Sequence, residues 1–122
     1  MQHAALISFL NGLLSAKDFG NSIKAEVNVC ELGVKSRGAG SVFLTRGQHS
    51  TITRSLARRL LGSVLEGQLP HSSAVYLADA VIMSDDFDFQ DEVVSEIFYM
   101  IADESGPLTQ SELQRALARL ES

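Results

Sequence analysis

The chain has no tryptophan, and it carries only one cysteine, two prolines and two tyrosines. The lone thiol, Cys30, excludes an internal disulfide and a cysteine-rich metal site, and it suits a reducing compartment. With prolines only at Pro70 and Pro107, long stretches are free to stay helical. No apolar run reaches the length of a membrane span. The run ending at Leu10 is interrupted by Asn11 and Gly12, and no basic segment precedes it as in an export signal. A mature cytoplasmic protein is the expectation. The most informative absence is of positive charge: residues 60–114 contain no lysine or arginine but hold eleven carboxylates.

What is present is ordinary for a globular protein. The chain has 122 residues, 45% hydrophobic and 20% charged, enough for one domain with its own core and too apolar for a disordered chain. The formal charge of −5 is unevenly distributed, since residues 1–72 sum to +4 and residues 73–122 to −9. The second half would repel a phosphate backbone, which argues against wholesale nucleic-acid binding.

Apolar residues recur at helical spacing through most of the chain. Leu6, Leu10 and Leu13, with Ile7 and Leu14 beside them, predict a helix over residues 3–14. Ser15 and Asp18 have the form of a capping box and open a second helix, with Phe19, Ile23, Val27 and Cys30 on one face and Gly33 as its stop. Residues 27–29 would equally suit an extended segment. Residues 33–40 read as a flexible basic loop. A helix is predicted from Ser50, with Ile52, Leu56, Leu60 and Val64 stepping by four, and with Gly67 and Pro70 ending it. Val75, Ala78 and Ile82 mark one helix, and Val94, Ile97, Phe98 and Ile101 another, on either side of residues 84–92. A second capping box, Thr109 to Glu112, opens a last helix bearing Leu113, Ala116, Leu117 and Leu120. The expectation is one all-α domain over residues 1–122, a bundle of about six helices with at most one short extended segment near residues 41–45.

No catalytic constellation stands out, and neither a cofactor nor a metal is expected. Asp86, Asp88 and Gln90 alternate like calcium-loop ligands, but Asp91 stands where the turn glycine belongs and Ile97 where the bidentate glutamate belongs. Gly33 and Gly38 have the spacing of a phosphate-binding loop, yet Ala39 and Gly40 replace its lysine and hydroxyl. His3, His49 and His71 are scattered, and Cys30 lies on an apolar stripe as a small core residue. Arg54, Arg58 and Arg59 on one helix suggest an alternative function, a small helical nucleic-acid-binding regulator. The following helix, whose only charge is Asp79, would make a poor recognition helix.

The remaining candidate is the acidic stretch. Asp85, Asp86, Asp88, Asp91, Glu92 and Glu96 have no basic neighbour in sequence. Ordinary surfaces intersperse both signs to limit self-repulsion. These acids are therefore expected to face outward from a rigid scaffold and dock a basic partner. Phe87 and Phe89 would pin the loop, at least one of them in the core. Tyr76 and Tyr99, beside the acids, are the expected anchors of an interface.

Several stretches resemble small helical bacterial immunity proteins, the partners of contact-dependent growth inhibition toxins and related polymorphic toxins. They are the run from Leu60 through Gly62, Glu66 and Gly67 to Leu69; Tyr76-Leu77-Ala78-Asp79-Ala80; Met83-Ser84-Asp85-Asp86-Phe87-Asp88-Phe89; Ile101-Ala102-Asp103-Glu104; and Gly106-Pro107-Leu108-Thr109. The resemblance covers about residues 50–112 and leaves the first third unassigned. It implies a cytoplasmic antidote without enzymatic activity that binds a delivered toxin domain, often a nuclease with a basic surface. In that setting the carboxylates would imitate phosphate charge, and complementary fields would speed association.

Overall fold

The computed structural model describes residues 1–38, 40–103 and 107–121. These form six helices and two three-residue strands: α1 (His3–Leu10), α2 (Ala16–Arg37), β1 (Ser50–Ile52), α3 (Arg54–Leu65), α4 (His71–Met83), β2 (Phe87–Phe89), α5 (Glu92–Ala102) and α6 (Gln110–Glu121). The all-α expectation holds, with a small extended element added to it. The Glu104 and Gly106 of the family resemblance lie outside the described residues, as does the Ala39 of the glycine-rich loop.

The helix starts follow the local chemistry. The Oγ of Ser15 accepts the Asp18 amide at 3.1 Å and opens α2. At α6 the capping box is reciprocal: Thr109 Oγ1 accepts the Glu112 amide, and Glu112 Oε1 accepts the Thr109 amide, both at 3.1 Å. Thr53 caps α3 by accepting the Leu56 amide at 3.3 Å, and Asp91 caps α5.

Four boundaries differ from the sequence-based expectation. Helix α1 stops at Leu10, because Asn11 caps it and Gly12 turns away with φ +80°; Leu13 is left 84% exposed instead of in the core. Helix α2 runs through Gly33, which is buried, and stops at Gly38 with φ +76°. One helical glycine costs only about 1 kcal/mol, and Lys35 and Arg37 in the last turn suit the negative end of the helix dipole. Residues 33–37 are therefore helix, not loop, and residues 27–29 are helical as well. The third difference is at Ser50. The β-branched run Thr51-Ile52-Thr53 forms a strand and a cap, so α3 starts only at Arg54. The last concerns residues 41–45, which belong to no regular strand. They form part of a strap, residues 40–49, tied down by scattered hydrogen bonds.

The two strands pair in parallel, Ser50 opposite Phe87, Thr51 opposite Asp88 and Ile52 opposite Phe89, with α3 and α4 forming the crossover. Along β2 the side chains alternate: Phe87 is buried, Asp88 exposed and Phe89 half-buried. The centre of the acidic stretch is thus a short strand pinned by its aromatics, with Phe89 against Phe98 at 5.2 Å between ring centroids and Phe87 stacked on His3 at 5.0 Å.

One core joins all the helices. Helix α4 lies against α5 and α2, α3 against α6, and α1 against α2 and α3. Phe9 and Phe19 stack at 4.7 Å between α1 and α2, and Leu60, Leu77, Ile97 and Phe98 are completely buried between α3, α4 and α5. Each such side chain contributes about 1.5–3 kcal/mol relative to exposure. On the other side of α4 the strap crosses Tyr76. The Tyr76 hydroxyl donates to Glu26 Oε2 at 2.7 Å and accepts the Phe43 amide at 3.0 Å. The Met1 ammonium sits on the same Glu26 oxygen at 2.6 Å and on the Phe43 carbonyl at 2.9 Å. The Thr45 amide returns to the Met1 carbonyl at 3.0 Å.

Candidate interaction surface

The α4–β2–α5 unit sets the positions of the six acids, and it does not treat them alike. Asp86 is buried at the end of α4. Its carboxylate accepts Arg46 Nε at 3.0 Å, Arg46 Nη2 at 3.1 Å and the Gly47 amide at 3.3 Å. The Arg46 guanidinium holds the pKa of this carboxyl below the usual carboxylate range, with the Gly47 amide helping against the opposing effect of burial. Asp91 is half-buried. Its Oδ2 accepts Arg54 Nε at 2.8 Å, while Oδ1 accepts the Val94 amide at 3.1 Å. Arg54 first, and the Val94 amide second, likewise lower its pKa.

Two further acids are paired in open solvent. Asp88 lies 2.7 Å from His49 Nε2, both side chains more than half exposed. Glu96 on α5 bonds Arg119 of α6, also at the surface. Such exposed pairs are worth about 0–1 kcal/mol and exchange readily. Asp85 and Glu92 are exposed and have no ion pair among the described residues.

The arrangement expected from the sequence, six uncompensated acids facing outward, is therefore not what the fold builds. Asp86 and Asp91 are structural groups with arginine partners, Asp88 lies beside the His49 ring, and Glu96 is paired with Arg119 at the surface. Tyr76 is also corrected: it is 3% exposed and its hydroxyl is used internally, so it cannot anchor a partner, whereas Tyr99 is 58% exposed on α5. Met83 at the end of α4 (72%) and Phe43 on the strap (67%) are large exposed apolar groups that the sequence reading did not single out.

The basic partners came from elsewhere in the chain, and their signal was legible. Residues 32–65 hold six lysines and arginines and not one acid. That segment is the mirror image of the acidic span, and Arg46, His49 and Arg54 within it cross to the acids through the β1–β2 pairing. The arginines of α3 are correspondingly divided. Arg54 is used on Asp91, and Arg59 lies over the Phe9 ring at 5.2 Å and donates to the Phe9 and Leu14 carbonyls. Of the three, Arg58 alone is exposed; Arg54 and Arg59 are half-buried.

Among the described residues no three His, Cys, Asp or Glu side chains come together as metal ligands, and no helix is long and apolar enough to cross a membrane. No family model, curated protein or solved structure matches the chain.

Proposed function

We propose that this chain is an immunity protein, a non-enzymatic inhibitor that binds and neutralises a cognate bacterial toxin domain in the cytoplasm, and that it does so through α4, β2 and α5. The observation carrying this reading is the composition of that surface. Among the described residues Asp85 and Glu92 have no ion pair and Asp88 and Glu96 are held only by exposed pairs, while Met83 at the end of α4 and Tyr99 on α5 are exposed. Fixed charge of one sign mixed with exposed methionine and tyrosine suits protein recognition, where the charges steer the encounter and a few apolar side chains set its lifetime. The partner is a basic domain of the kind nucleases use on nucleic acid. The resemblance of residues 50–112 to immunity proteins supplies the biological setting. Internal pairing of Asp86 and Asp91 reduces the number of acids available but leaves the overall charge of −5 unchanged.

Binding to the basic toxin domain encoded in the same locus tests the proposal. The expected result is a stoichiometric complex that weakens as salt is raised and rescues cells expressing the toxin. A chain that neither binds that domain nor protects against it would overturn the reading.

A further inference from the structure

The end of α4 offers more than charge. An open cleft of about 230 Å³ lies there between the strap and the helix, walled by Val42, Leu44, Ala80 and Met83 and edged by Arg46, Ser84 and Asp85. The walls suit an aliphatic chain. The polar edge favours a cation for two reasons, and the arginine on it does not oppose one. Helix α4 has no basic residue in its last turn, so nothing on it offsets the partial negative charge of its terminal carbonyls. Asp85 is exposed, with no ion pair among the described residues. Arg46, the cation on this lining, has Nε and Nη2 committed to Asp86, whose carboxylate offsets its charge.

We propose that this cleft receives a lysine side chain of the partner protein, with its methylene stem along Leu44 and Met83 and its ammonium between Asp85 and the end of α4. The inference rests on the reading of the chain as an inhibitor of a basic protein and names the contact by which that protein is held. Lysine suits the site better than arginine. A compact ammonium with three rotatable donors can serve a carboxylate and helix carbonyls at once, whereas a guanidinium presents a planar fork best matched to a single carboxylate. The thioether of Met83 is 72% exposed and adapts to an inserted stem. The opposite wall is already in place, because Phe43, Thr45 and Arg46 of the strap are bonded to Tyr76, Met1 and Asp86.

Two measurements test it. In the first, n-butylammonium and n-butanol are titrated into the protein while amide chemical shifts are followed. The expected result is movement at Leu44, Met83, Ser84 and Asp85 with the ammonium, much weaker with the alcohol, and abolished in D85N. Equal response to both probes, no response, or an unchanged response in D85N would overturn the inference without touching the inhibitor reading. In the second, toxin affinity is compared for D85N, Met83→Ala and Glu92→Gln. D85N and Met83→Ala should each weaken binding by roughly three- to tenfold, more than Glu92→Gln. If wild type binds and the three variants are indistinguishable, the cleft is not the contact. If wild type itself does not bind, it is the immunity reading that fails, and the butylammonium titration still decides the cleft.

Discussion

Arg54 and Asp91 form an ion pair across 37 positions of sequence, and the same carboxylate begins a helix: one oxygen takes Arg54 Nε at 2.8 Å and the other the Val94 amide at 3.1 Å. The group that looked from sequence like part of an outward acidic face is instead the fastening between α3 and α5. Asp86 does the same for the strap through Arg46.

A pH dependence follows from these two carboxylates. Both have folded pKa values below their unfolded ones. The stability they contribute is therefore fully present above the unfolded value of about 3.9 and is lost as pH falls through the lower folded values. Urea midpoints should be flat near neutral pH and decline below about pH 4. In the double variant Asp86→Asn, Asp91→Asn the neutral-pH midpoint should be lower and the acid decline shallower. An unchanged acid profile would show that these pairs do not matter to stability.

The four outward acids should behave oppositely. Replacing Asp85, Asp88, Glu92 and Glu96 by their amides should shift stability by no more than about 0.5 kcal/mol each while slowing association with the proposed basic partner several-fold and flattening its salt dependence. The same changes at Asp86 and Asp91 would damage the fold first. Stopped-flow association together with thermal melts distinguishes the two groups.

Tyr76 ties α4 to α2 and to the strap. Burial raises its hydroxyl to about 12, with the neighbouring Glu26 adding to the effect and the Phe43 amide partly opposing it. A group raised in the folded state contributes stability below its unfolded value of about 10 and loses it as pH climbs through the folded value. In a Tyr99→Phe background, tyrosinate absorbance should rise only near pH 12, together with alkaline unfolding. Tyr76→Phe should cost about 1–3 kcal/mol in urea titration, since the Phe43 amide loses its acceptor in a partly buried place.

Gly47 is required by space. A Cβ added there would lie 2.3 Å from the His3 ring, which is itself buried and stacked on Phe87. Gly47→Ala should destabilise by about 1–3 kcal/mol, visible as a lower melting temperature. The same change at Gly62, where an added Cβ would meet nothing within 4 Å, should not destabilise.

Sequence alone determined the helical architecture. The spacing of Leu56 and Leu60, of Val94, Ile97 and Phe98, and of Leu113 and Ala116 records a buried stripe on each helix, and the Thr109–Glu112 box is complete within four residues. Those patterns are local, so local reading finds them. Ser50–Ile52 was misread because Ile52 faces the core from a strand at the same four-residue step that a helix would give. Only the tertiary structure decided which charges are free. Whether Asp85 or Asp86 meets an arginine depends on how residues 40–49 lie along α4 and how β1 pairs with β2, and Coulomb energy follows distance in space, not in sequence.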